Sequence, residues 1–162
     1  MLKQEIEKAL TVLKDGGVIL YPTDTVWGLG CDATNEQAVA KINDIKGRAA
    51  DKSFIILLDT DAKLQSYVTE VPHVAYDLIE YAENPLTLVF PNAKNLAKNV
   101  INADGSVGIR IVKHDFCTQL IQRFRKDLLE LVSDNRPLDA VYQLNLQLFP
   151  LADAKRGGND GK

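Results

Sequence analysis

Cysteine, histidine and tryptophan are scarce in this chain, at two, two and one residues. Cys31 and Cys117 lie far apart and form no C-x-x-C pair. Neither a disulfide framework nor a zinc site is indicated, and a reducing, cytoplasmic location is expected. His73 and His114 stand alone, with no Asp or Glu spacing suited to ligation, so no tightly bound metal is expected. No Ser-His-Asp or Cys-His nucleophile motif is marked, which favours chemistry without a covalent enzyme intermediate. No apolar run approaches the roughly 18 residues that cross a bilayer, so no membrane partner is expected. The N-terminus, MLKQEIEKAL, mixes acids and bases and reads as a helix, not as a signal peptide. There is no internal repeat, linker or low-complexity tract. Positive charge is not in excess either. The formal net charge is −3, and the bases are dispersed apart from Arg123-Phe124-Arg125-Lys126. Global charge therefore gives no support to nucleic-acid binding, although a local concave patch would escape this argument.

What remains is an ordinary globular composition: 162 residues, 46% apolar and 25% charged, suited to one compact domain. Leu2, Ile6, Leu10 and Leu13 recur at helical spacing, and Gly16-Gly17 stops that helix. Val18 to Tyr21 reads as a buried strand broken by Pro22, followed by a polar, glycine-bearing loop from Thr23 to Ala33. Thr34-Asn35-Glu36-Gln37 fits a capping box with Thr34 as cap. The helix it opens carries Ala38, Val39, Ile42 and Ile45 on one side and ends near Lys46-Gly47. Phe54 to Leu58 is a second buried strand. One or two helices span Ala62 to Tyr81, with Pro72 in a first turn. Leu86 to Phe90 and Val107 to Val112 are further strands, the last reached through a tight turn at Asp104-Gly105. Phe116, Leu120, Ile121 and Phe124 mark another amphipathic helix, and Ala154 to Lys162 reads as a frayed tail. Strands alternating with helices predict a layered α/β domain. The weak periodicity between Phe90 and Gly105 predicts some antiparallel pairing, and so a mixed sheet.

Several segments could carry chemistry. Tyr21-Pro22-Thr23-Asp24-Thr25-Val26-Trp27-Gly28-Leu29-Gly30 places two hydroxyls, a carboxylate and two glycines at a strand end, where backbone can approach a ligand closely. An ordinary tight turn explains the same residues equally well. Gly28-x-Gly30-x-x-Ala33 also fits a loose dinucleotide fingerprint. Its glycines sit too far past the strand, however, and Asp32 would put negative charge in the phosphate loop. Lys46, Arg48 and Lys52 cluster between a helix end and a strand and could surround a triphosphate, Arg48 as a fork and the lysines as point charges. The alternative is that Lys46 and Arg48 merely complement a helix dipole. In Gly105-Ser106-Val107-Gly108-Ile109-Arg110-Ile111-Val112, period two puts Val107, Ile109 and Ile111 on one face and Arg110 on the other. An arginine there needs an anion, either a structural Asp or Glu or a ligand carboxylate. Thr87 is a lone hydroxyl in an apolar strand, a pattern more common in core threonines than in ligand contacts.

Taken in order, these segments resemble the YrdC-like family of threonylcarbamoyl-adenylate synthases. The match runs from Gly16-Gly17 through the Tyr21–Gly30 loop and Lys46-Gly47-Arg48 with Lys52. It continues through Pro85-Leu86-Thr87 and Gly105–Arg110 and ends near Lys126. The resemblance implies an α/β (α+β) domain, a twisted mixed sheet flanked by helices around a basic open cavity. It would comprise a core over 1–126, a divergent segment over 127–153 packed on it, and a disordered tail over 154–162. It implies ATP with Mg²⁺, L-threonine and bicarbonate as reactants, with the product passed to tRNA-modification proteins. By position, Thr25 and Arg110 would contact threonine, with Thr23 and Tyr21 shaping the pocket. Arg48, Lys52 and Thr87 would contact the nucleotide, and Lys46, Arg48 and Lys52 would stabilise phosphate charge. Where the family carries S-T-S-A-N-x-S-G, this chain reads Ser133-Asp134-Asn135-Arg136-Pro137, so Ser133 and Asn135 match S-x-N and nothing matches S-G. A double-stranded RNA-binding module and a catalytically inactive nucleotide-binding paralogue are the competing functions.

Overall fold

The computed structural model describes residues 1–47 and 53–124 and the strand at 128–131. Helix α1 (Leu2–Lys14) buries Ile6, Ala9, Leu10 and Leu13, whereas Leu2, counted in its apolar stripe, is 42% exposed. It ends in a paired-turn cap. Gly16, at φ +73°, donates to the Leu13 carbonyl, and Gly17 donates to that of Val12. Strand β1 (Ile19–Pro22) follows, and then the structure departs from the expected loop. Thr23–Val26 is a tight connection into a second strand, β2 (Trp27–Asp32), with Pro22 opposite Trp27 and Ile19 opposite Gly30. The glycines that resemble a phosphate loop thus lie within a ladder.

Helix α2 (Glu36–Lys46) is capped one residue later than the capping box predicts. Asn35 accepts from the Gln37 and Ala38 amides, while Thr34 donates its amide and hydroxyl to Asp32 Oδ1 at 2.9 and 2.7 Å. Asp32 is buried, and satisfying its carboxylate takes Thr34 away from the cap. Gly47 closes the helix at φ 57°. Strand β3 (Ile55–Leu58), a 3₁₀ turn (Asp61–Lys63), α3 (Leu64–Tyr67) and α4 (His73–Tyr81) come next, with Pro72 as the N-cap of α4 rather than inside its first turn. Strands β4 (Thr87–Phe90) and β5 (Val107–Ile111), helix α5 (Asp115–Phe124) and strand β6 (Leu128–Leu131) complete the described chain.

The strands form one sheet in the order β1-β2-β6-β3-β5-β4. Only β3 and β5 are parallel; the other neighbours are antiparallel, so the sheet is mixed as the Phe90–Gly105 interval predicts. Each face carries its own core. Leu20, Leu29, Ile56, Leu58 and Ile109 pack under α2, α3 and part of α4. Ile19, Tyr21 and Leu57 pack under α1 and α5. Gly28 and Gly30 fall opposite Tyr21 and Ile19 in register, so at these two positions β2 adds no side chain beside them.

Candidate active site

Alternation along β5 fixes where Arg110 points. Val107 and Ile109 enter the core under α2, so Arg110 projects from the opposite face, level with Leu57 of β3 and Thr87 of β4. Only 3% of its side chain is exposed. Its anion is Asp24, 7% exposed, whose Oδ1 lies 3.1 Å from Arg110 Nη2. The sequence left the partner open between a structural acid and a ligand, and the structure supplies the structural one. Asp24 Oδ2 also accepts from the Lys113 amide at 3.3 Å. The β1–β2 turn is therefore tied to the far end of β5, although three strands (β2, β6 and β3) lie between β1 and β5 across the sheet.

The turn is ordered from within. Thr23 is buried, and its hydroxyl donates to the Val26 carbonyl at 2.7 Å, lies 3.1 Å from Thr25 Oγ1 and accepts from the Thr25 amide at 3.3 Å. These bonds close a hydroxyl turn and hold Thr25, which is exposed, at its rim. The ordinary-turn reading and the ligand reading thus divide between two threonines: Thr23 builds the turn and Thr25 faces outward. Tyr21 is buried, its ring 6.5 Å from that of Phe116, and Cys117 donates to the Pro22 carbonyl at 3.0 Å. Together these contacts seat the start of the turn on α5.

Thr87 is half-buried beside Arg110, on the same face by register. Val89, two residues on, is 68% exposed, so the outer part of this face lies open. The structure thus brings Thr23, Asp24, Thr25, Arg110 and Thr87 to one region of the sheet, with the Thr23, Asp24 and Arg110 side chains buried and Thr25 exposed at its rim. Lys46 is buried at the last turn of α2, on the helix layer opposite Arg110. Arg48, Lys52, Ser133 and Asn135 lie outside the described residues. The backbone leaving the cationic turn is nonetheless anchored. Ser53 donates to Asn102 Oδ1 at 2.9 Å, and Asn102 donates to Ser106 Oγ at 3.0 Å, just before β5.

Asp24 is the site residue that sequence reasoning assigns no role of its own. Its signal was present: one carboxylate flanked by two hydroxyls, in a chain whose buried strand arginine needed an acid.

Comparison with known proteins places these features in context. The Sua5/YciO/YrdC family model, described as telomere recombination, matches residues 11–139, a span that runs past Lys126 and includes Ser133 and Asn135. The chain is 35% identical over 164 residues to the threonylcarbamoyl-AMP synthase of Pseudoalteromonas translucida, covering 95% of this chain and 88% of that one. It is 34% identical over 145 residues to the protein of the same name from Psychromonas ingrahamii, covering 87% and 76%. Among solved structures, P. abyssi Sua5 complexed with L-threonine superposes with a TM-score of 0.74 at 30% identity. That match spans 78% of this chain but only 37% of the Sua5 chain.

Proposed function

Because the chain belongs to the Sua5/YciO/YrdC family, we propose that it is a cytoplasmic L-threonylcarbamoyladenylate synthase, a nucleotidyltransferase acting on L-threonine, bicarbonate and ATP for modification of a tRNA adenosine. The amine nitrogen of threonine bonds to the carbon of bicarbonate with loss of water. A carbamate oxygen then bonds to the α-phosphorus as the bond from that phosphorus to its bridging oxygen breaks, and pyrophosphate departs. Mg²⁺ enters as part of the nucleotide substrate. The reaction needs no enzyme nucleophile. A carbamate is short-lived in water, and holding it beside the phosphorus is worth several kcal/mol, up to about 7–11 in well-oriented cases.

In this reading Arg110 takes the threonine carboxylate, and Asp24 fixes the direction of its guanidinium fork. Thr25 contacts the amino acid at the rim of the turn, Thr23 holds that turn closed, and Tyr21 shapes the floor. Thr87, adjacent to Arg110, meets the nucleotide. Arg48 and Lys52 take the phosphates, Lys46 adds to their field, and Ser133 and Asn135 close the adenylate side. Fixed cations of this kind offset charge on the transferring phosphorus and on departing pyrophosphate.

The observation that carries the reading is the 3.1 Å contact joining the hydroxyl turn to Arg110, because it makes one site of two distant sequence motifs. Calorimetry tests it. Threonine should bind the protein, with affinity lost in Arg110→Ala, and ATP should bind independently of RNA. Steeply salt-dependent binding of duplex RNA, indifferent to threonine, would instead identify an RNA-binding module.

A further inference from the structure

Helix α4 presents apolar side chains on both of its sides. Ala75 is buried and Tyr76 and Ile79 pack inward, as expected for a helix on a sheet. The outer side is also apolar: Val74, Leu78 and Tyr81, at i, i+4 and i+7, are 58%, 48% and 76% exposed. A groove of about 450 Å³ opens at the end of this stripe, floored by Leu78, Tyr81, Pro85 and Leu86.

The charge around the stripe is mainly acidic. Between Lys63 and Lys94 the sequence contains no lysine or arginine, but it contains Glu70, Asp77, Glu80 and Glu83. All four side chains are exposed, and Asp77 and Glu83 line the groove itself. The C-terminal, negative end of α4 points the same way, and the Ala82 carbonyl beyond it already accepts from Lys113 Nζ at 2.8 Å. Among the described residues, four acids flank three apolar anchors, against Lys113, held on the Ala82 carbonyl, and His73 beside Asp77, so the surface remains acidic on balance and is complementary to a segment with apolar anchors inside a basic rim.

We propose that the outer face of α4 and its groove form a docking site for a basic, amphipathic segment of a partner protein. Tyr81 serves as the central anchor, and Glu80 and Glu83 select for positive charge. The site lies outside the residues assigned to the reaction, so it stands whether or not that reading holds.

The test uses the full chain, isotope-labelled for nuclear magnetic resonance, and a synthetic helical peptide with one Leu/Trp stripe flanked by lysines. Shift changes should be confined to α4 and to residues 84–86. Tyr81→Ala should weaken binding by about tenfold or more, as loss of a central aromatic anchor does. Glu80→Lys with Glu83→Lys should weaken it at least about fivefold and flatten its dependence on salt. Circular dichroism on each variant confirms folding, which substitution at such exposed positions leaves intact. A peptide with glutamates in place of the lysines should not bind. Equal binding of both peptides, or binding unchanged by Tyr81→Ala, overturns the proposal. Self-association of the wild type that Tyr81→Ala abolishes, without peptide binding, also overturns it and makes a second copy the occupant.

Discussion

Replacing Asp24 by alanine should destabilise the protein far more than the worth of the bond it makes. At 3.1 Å and an effective dielectric of about 20, the Asp24–Arg110 attraction is about 5 kcal/mol. Burying the two ions costs several kcal/mol each, so the intact pair contributes close to nothing net. Asp24→Ala takes an acid away from a guanidinium that is only 3% exposed, and removing one partner of a buried pair costs about 3–5 kcal/mol. For a chain of this size that corresponds to a fall in Tm of roughly 6–20 °C. Arg110→Met leaves a carboxylate that still accepts from the Lys113 amide, so its cost should be smaller, about 1–3 kcal/mol. Asp24→Ala combined with Arg110→Met removes both charges and should lie within about 2 kcal/mol of wild type, well short of the sum of the single changes. Urea titration followed by circular dichroism supplies all three values. An Asp24→Ala cost below about 1 kcal/mol, or single costs that simply add, would refute the claim that these ions form one buried unit. The double variant has a second use, since it should fold yet fail to bind threonine.

Other consequences of the structure are simpler to check. A Cβ at Gly17 would stand 2.6 Å from Val12 Cγ1 and 2.9 Å from the Val12 carbonyl oxygen, so Gly17→Ala should cost about 1–3 kcal/mol in thermal or urea unfolding. Asn35→Ala should cost about 1 kcal/mol, because Asn35 accepts the Gln37 and Ala38 amides, while Gln37→Ala should change stability by less than about 0.5 kcal/mol. Equal costs would restore the capping box. Burial, reinforced by Asp32 and only partly offset by Lys41, pushes the Cys31 thiol well above its ordinary range. Cys117 is buried too, so a thiol reagent at pH 8 should modify neither cysteine until urea unfolds the chain. Fast labelling in native buffer would contradict the packing.

The sequence exposed those parts of the fold whose signal is local. The stripe Ile6, Leu10, Leu13 and the glycine stop specify α1, and β-branched runs specify β1, β3 and β5. Alternation along β5 was enough to put Arg110 on its own face. Strand β2 stayed hidden because its alternating Trp27, Leu29 and Cys31 are separated by glycines, which carry turn signals when read locally. Pairing with β1 and β6, which no local pattern encodes, is what makes the segment a strand. Strand β6 was missed for a related reason. Leu128-Leu129-Glu130-Leu131 contains good helix formers and no β-branched residue, and its conformation is set by β2 and β3 on either side. In the site, residue types and order are readable, but the pairing of Asp24 with Arg110 is not, because 86 positions of chain separate them and only the tertiary fold brings them together.

Threonine-dependent release of pyrophosphate tests the account most directly. The folded chain, given Mg-ATP, bicarbonate and L-threonine, should release pyrophosphate and form an adenylate that takes up label from ¹³C-bicarbonate. Removing threonine, or substituting Arg110, should abolish both signals. Pyrophosphate release indifferent to threonine, or none from a sample shown to be folded, would contradict the assignment.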